Sequence, residues 1–259
     1  MRIENSFIPV RGVGETTERR LWEQGITHWD AFDGSVVGAT LAERIETFID
    51  QGRTHLERGD LSVFAERLPA ASRWRLYENA RAETCFLDIE TTGLDASCND
   101  VTTVSLHRGG DTKTFVNGRD LTSDRLESEL EASSLLVTFN GQRFDVPFLE
   151  TCFDLEVSVP HVDLMYPCKQ LGLDGGLKAI EADVGIEREL PDLSGRDAVR
   201  LWHEYERGDE AALETLIEYN RADTRNMKPL MDHVADRLHE QVFETVRAES
   251  AAPEAEQKR

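Results

Sequence analysis

The stretch Cys85-Phe86-Leu87-Asp88-Ile89-Glu90 constrains the fold of this chain more than any other. It has the apolar density of a buried strand, yet two carboxylates stand two residues apart inside it. Side chains alternate along a strand, so Asp88 and Glu90 leave one face while Leu87 and Ile89 leave the other. Adjacent like charges are costly unless a cation lies between them, and hard, oxygen-ligated ions such as Mg²⁺ or Mn²⁺ suit carboxylates. Taken alone, the pair reads first as an exposed strand end and only second as a metal site. The turn Thr92-Gly93 closes the run.

Around this strand the pattern is that of an α/β chain. Residues 101–107 and 112–116 alternate like strands across the turn Arg108-Gly109-Gly110, and 134–139 and 157–163 read as two more. Helices are predicted over 123–132 and 145–153, then in an unbroken series over 163–171, 176–183, 195–207, 209–226 and 228–248. A meander, then alternation, then helices predicts a mixed β-sheet covered by helices, spanning 81–248. Before it, 1–80 reads as a small all-helical region with helices at 16–24, 41–58 and 61–81; Trp22, Trp29 and Trp74 fall at core spacing. Residues 249–259 read as a frayed, disordered tail.

Two further acids stand where chemistry is expected. Asp145 follows the strand ending at Phe139 through Asn140-Gly141-Gln142-Arg143-Phe144, at the strand end where open α/β sheets place their sites. It reads as the cap of the next helix, or as cap and outer metal ligand together. Asp223 lies four residues after Tyr219 within a helix, so phenol and carboxylate share a face. A buried aspartate there needs a partner, and a metal supplies one. Asp163 reads first as a helix cap and second as metal-proximal. His161 reads as a structural histidine.

In this order, Asp88 and Glu90, Asp145 and Asp223 resemble the motifs of the DEDD superfamily of exonucleases on the ribonuclease H-like fold, and Asp88-Ile89-Glu90-Thr91-Thr92-Gly93-Leu94 looks like its first motif entire. Tyr219 marks the tyrosine (DEDDy) subtype; Glu218 stands where the other subtype has histidine. Leu177-Lys178-Ala179-Ile180-Glu181, Gly185-Ile186-Glu187-Arg188, Leu193-Ser194-Gly195, Leu201-Trp202 and Tyr219-Asn220 look like the YprB-type ribonuclease H-like family over about 82–235. The resemblance implies a 3′→5′ exonuclease that hydrolyses DNA or RNA with two divalent cations, Mg²⁺ or Mn²⁺, acting on a single-stranded 3′ end. Asp88, Glu90, Asp145 and Asp223 would hold the metals and Tyr219 would orient the attacking water. Thr91, Thr92 and Leu94 would meet the terminal nucleotide. Leu94 equally reads as core, and Asn140 as a nucleotide contact or a turn residue. Lys178, after Gly175-Gly176 at a helix start, is placed to meet phosphate. A non-catalytic nucleic-acid-binding scaffold and a structure-specific endonuclease are the competing readings.

Residues 7–26 resemble half of a helix–hairpin–helix, in which Arg11, Gly12 and Gly14 would approach a phosphate. Glu15 and Glu18 nearby speak against it, where a basic residue would serve better.

Charge enters here as an objection. There are 50 Asp and Glu against 29 Lys and Arg, a net charge of −21, and a basic footprint is the usual mark of a nucleic-acid partner. Of the basic residues only Lys113, Lys169, Lys178, Lys228 and Lys258 are lysine. Many acids with few lysines is the composition of proteins from a salt-rich cytoplasm. In molar salt screening shortens to about 3 Å, and the acidic surface ceases to repel phosphates. Cys85, Cys98, Cys152 and Cys168 lack metal or disulfide spacing and read as reduced, mostly buried thiols. No apolar run is long enough for a membrane span and no signal-peptide core opens the sequence, so a cytoplasmic protein is expected.

Overall fold

A computed structural model describes the backbone of residues 1–251 and the side chains through 248. The tail expected at 249–259 lies, apart from the helical backbone of 249–251, outside the described residues. Two compact units result. One is Arg81–His233; the other joins Met1–Ala80 to the described residues from Val234 onward.

The unit Arg81–His233 is built on a five-stranded sheet. Its strands are β1 (Thr84–Thr91), β2 (Val101–Arg108), β3 (Asp111–Val116), β4 (Leu135–Thr138) and β5 (His161–Asp163). They lie in the order β3-β2-β1-β4-β5, with β1, β2 and β3 antiparallel and β4 and β5 running parallel to β1. Gly109 and Gly110 both have positive φ, which a two-residue hairpin of this hand requires. The expected strand at 157–163 shortens to His161–Asp163, because Pro160 has no amide to give the ladder.

One face of the sheet carries Cys85, Leu87, Ile89, Val104, Leu106 and Leu136, packed against Leu126 and Leu130 of α5 (Ser123–Glu131) and Phe148 and Leu149 of α6 (Asp145–Phe153). Each fully buried leucine there contributes about 1.5–3 kcal/mol. The other face bears Asp88 and Glu90 and receives α10 (Glu210–His239): Asn220 accepts a hydrogen bond from Thr103 Oγ1 at 3.0 Å, and Arg221 donates to Thr114 Oγ1 at 2.9 Å. Between lie α7 (Met165–Gln170), α8 (Leu177–Val184) and α9 (Gly195–Glu206). The break expected in α10 at 226–228 does not occur, and the helix runs through Pro229. A proline inside a helix costs about 3 kcal/mol. Burial of Met227, Leu230 and Met231, each 0% exposed, outweighs it.

The second unit contains α1 (Glu15–Glu23), α2 (Ala39–Glu57), α3 (Ser62–Arg67) and α4 (Tyr77–Ala80), followed after α10 by a π-turn (Glu240–Glu244) and α11 (Thr245–Ala251). The single helix expected over 61–81 is broken, because Pro69 forces Leu68 into an extended backbone and a 3₁₀ segment (Ala70–Leu76) follows. Trp22, Trp29 and Trp74 are all core residues. Trp29 stands edge-on to Phe48 at 5.4 Å and Trp22 edge-on to Phe243 at 5.1 Å. Glu18 is also buried. Its carboxylate accepts from Ser6 Oγ (2.8 Å), the Phe7 amide (2.7 Å) and the Ile8 amide (3.2 Å), and pairs with Arg75 Nη1 at 2.7 Å.

The thiols depart from expectation. Cys85 and Cys168 are buried, but Cys98 and Cys152 are exposed, one on the loop after β1 and one on the outer side of α6. No helix among the described residues is long and apolar enough to cross a membrane.

Candidate active site

Strand β1 places Asp88 opposite Ser105 and Glu90 opposite Thr103, on the face that α10 covers. The register slips just after Glu90, and such bulges re-aim side chains at strand ends. Asp223, on α10, completes a group with both: Asp88, Glu90 and Asp223 each offer an oxygen within 4.8 Å of the others. Asp145, the first residue of α6, stands outside that group but close enough to act on it electrostatically. The loop that delivers it turns at Asn140 (φ 63°) and Gly141, where a Cβ would lie 2.4 Å from Thr138 Oγ1; only glycine fits.

The acids are short of counter-charge. Burial, then the charges of Asp223, Asp145 and Glu90, pushes the Asp88 carboxyl well above the ordinary range, with the Asn220 amide opposing. Glu90 is raised for the same reasons, with Lys178 and Arg188 opposing. Burial carries Asp145 up to about 7 against backbone amides that stabilise its charged form. Asp223 is raised least: burial lifts it, but Arg188 pulls it down. A buried acid cluster whose charge its own neighbours leave unmatched fits a hard divalent cation, with carboxylate oxygens as the donor set.

Several neighbours were not singled out as site residues in the sequence. Asn220 Nδ2 donates to Asp88 Oδ2 at 2.7 Å while its Oδ1 is held by Thr103. Arg188 pairs with Glu181 through Nε (2.7 Å) and Nη2 (3.0 Å), and Nη2 also donates to Asp223. Its Nη1 is buried without a partner. The sequence carried no signal for this pair beyond their place in a family-like motif; once the fold buries Glu181 and Arg188, each needs the other as partner.

The remaining expected residues divide. Tyr219 is buried one helical turn before Asp223; burial and then Asp223, Glu90 and Asp88 raise its hydroxyl. Lys178 Nζ lies 4.6 Å from the centre of the Tyr219 ring and donates to the Leu193 carbonyl. Thr91 and Leu94 line a cavity of about 700 Å³ together with Glu90, Phe144, Arg196 and Val199. Leu94 is 87% exposed, so the core reading of that residue is wrong: it sits on the loop between β1 and β2 with nothing over it. Thr92 is tied to the same loop, accepting from the Asp100 amide at 3.0 Å. The Asn140 amide donates to Asp163 Oδ1 at 2.7 Å, and Asp163 also takes the amides of Gln142 (3.1 Å) and Met165 (3.0 Å). Asp163 is thus a cap for two segments. His161 Nε2 hydrogen-bonds Thr138 Oγ1 at 2.8 Å, a structural role. Arg11, Gly12 and Gly14 belong to the other unit.

Residues 85–235 match the family model of the RNase H superfamily. Among solved structures, the chain is similar to the family B DNA polymerase from the hyperthermophilic archaeon Pyrobaculum calidifontis, with 18% identity and a TM-score of 0.51 over 65% of this chain. That match takes in 27% of the polymerase chain, and at this identity it speaks for the fold alone. No curated protein matches the chain in sequence.

Proposed function

The chain belongs to the RNase H superfamily, and from that premise we propose that it is a DEDDy-type 3′→5′ exonuclease acting on a single-stranded end of DNA or RNA. The observation that carries this is the cluster of Asp88, Glu90 and Asp223 on one face of a buried sheet, short of positive charge. These three would hold one divalent cation, Mg²⁺ or Mn²⁺, and Asp88 with Asp145 a second. Bound there, such cations supply Lewis acidity to a phosphodiester and to an attacking water.

The chain's own residues do the rest. Asn220 fixes the Asp88 carboxylate, and Arg188 fixes Asp223. Tyr219 orients water through its hydroxyl, which burial keeps protonated, and Lys178 across its ring adds positive charge for a phosphate. The cavity between Leu94 and Phe144 admits the terminal base beside Glu90, with Thr91 at its edge. Thr92 and Asn140 shape the two loops that frame it. The acid excess with only five lysines supports a salt-rich cytoplasm as the working solvent.

The test uses 3′-labelled and 5′-labelled single strands of DNA and RNA with Mn²⁺ or Mg²⁺, in about 1 M KCl so that screening is short. A one-nucleotide ladder receding from the 3′ end is expected, slowed about 10²–10³-fold in Asp88→Asn. Internal cuts would convert the reading to an endonuclease. No cleavage by the wild type would leave a nucleic-acid-binding scaffold.

A further inference from the structure

A groove of about 680 Å³ runs along the unit formed by residues 1–80, between the loop 8–13 and helix α2. Three arginines line it, one from each of three segments: Arg11 from the loop, Arg44 from α2 and Arg67 from the end of α3. All three are exposed, and among the described residues none has an ion pair or a side-chain hydrogen bond. In the same unit Arg2, Arg19, Arg53 and Arg75 each sit on a carboxylate. Glu43 is the one acid in the lining, so the groove keeps a positive surplus on a chain of net charge −21.

The walls are fixed in place. Buried Glu18 grips the amides of Phe7 and Ile8 and the hydroxyl of Ser6, and successive turns close from Val10 to Phe7 (3.0 Å) and from Val13 to Val10 (2.9 Å). Gly12 adopts φ 100°, which a side chain would resist, and a Cβ there would stand 3.7 Å from Arg44 Nη1; loop and helix arginine are close neighbours. Arg67 lies 5.8 Å over the ring of Phe48, which steadies the guanidinium. Of the two acids that argued against a phosphate here, Glu18 is withdrawn to 1% exposure and holds this loop, while Glu15 stays exposed outside the lining.

We propose that the groove binds the phosphodiester backbone of single-stranded nucleic acid through Arg11, Arg44 and Arg67, without reading bases. As a second grip on a nuclease substrate it rests on the function proposed above, but the binding itself does not. Guanidinium groups suit phosphate because they offer forked donors of fixed charge. Buried Phe48 gives no stacking platform, so charge and hydrogen bonds set the affinity.

The test measures fluorescence anisotropy of a labelled twelve-nucleotide oligothymidylate with the full chain carrying Asp88→Asn, in EDTA. KCl is titrated from about 0.1 to 1 M, with folding checked by circular dichroism at each step. The double variant Arg44→Gln/Arg67→Gln should bind about tenfold more weakly. Its slope of log affinity on log salt should fall by about 1.4, since each single-strand phosphate contact contributes about 0.7. Glu43→Gln should bind more tightly. A control, Arg20→Gln/Arg58→Gln, changes net charge equally on exposed arginines outside the lining. Unchanged binding in the groove variant, or an equal loss in the control, overturns the proposal. Hydrolysis of the p-nitrophenyl ester of thymidine 5′-monophosphate by the wild type with Mn²⁺ reports the carboxylate site separately. Its absence would count against the nuclease and not against the groove.

Discussion

Glu18 in the helical unit and Asp88, Glu90 and Asp223 in the sheet unit are all acids withdrawn from water, but their surroundings differ in kind. Around Glu18 both oxygens are answered: two backbone amides and a serine hydroxyl converge on Oε1, and the Arg75 guanidinium on Oε2. Around Asp88 the first neighbours are other acids, and one amide from Asn220 is its direct donor. A buried acid with a full set of partners belongs to the architecture, because removing a partner strands a charge. One left short of partners waits for something from outside. Arg188 stands between the two cases: it satisfies Glu181 and still reaches Asp223, with Nη1 unmatched.

The contrast can be broken most forcefully at Arg75. Arg75→Met should cost about 3–5 kcal/mol in urea unfolding, the scale for stranding one member of a buried pair. A loss under about 1 kcal/mol would mean that the amides alone hold Glu18, and the contrast would fail on the structural side. Asp88→Asn should do the reverse in the metal-free protein, raising its melting temperature by removing repulsion. Hydrolysis should meanwhile fall by about 10²–10³, the scale for one electrostatic group in a transition state. A lower melting temperature would show that the acids are matched after all.

Next in size is Asn220→Ala. Freed from its amide, Asp88 should hold Mn²⁺ about 10–100-fold more weakly by calorimetry, as for other residues that orient a ligand. A last effect is spread over pH rather than set by one substitution. A carboxyl near 3.8 in the unfolded chain but raised to about 7 at Asp145 binds more protons folded than unfolded. Stability of the metal-free protein should therefore be full below about pH 4 and decline through pH 7, by at most about 1.4 kcal/mol per pH unit for each retained proton. A urea midpoint that rises over that range in EDTA would contradict the raised carboxyls.

What could be read from the residues was local in the chain. Asp88 and Glu90 announce themselves because period-two alternation puts them on one face of a strand, and Asp145 and Tyr219 with Asp223 follow from a strand end and a helical turn. The mixed sheet and the helical N-terminal region follow from the same periodicities. What escaped depends on contacts across the chain. Glu18 counted only as an acid set against phosphate binding, because its partner Arg75 lies far along the sequence; Arg188 stood in a family-like motif, but its pairing with Asp223 could not be read there. Pro229 and Pro69 show the same limit from two sides. The one at 69 broke a helix as the local rule demands; the one at 229 was overruled by burial around Met227 and Leu230.

The edge-on contact of Trp22 with Phe243 ties α1 to the π-turn that follows α10. During synthesis Trp22 leaves the ribosome long before Phe243, so the helical unit lacks part of its core until the whole sheet unit has been made. The sheet unit, Arg81–His233, is continuous in sequence and can complete its own core before Phe243 is made. Birth order and spatial grouping therefore disagree: the residues around Trp22 must wait for those around Phe243. A circular permutant of residues 1–259 opened at the exposed Gly109-Gly110 turn would make Phe243 before Trp22 and bring the two closer in time.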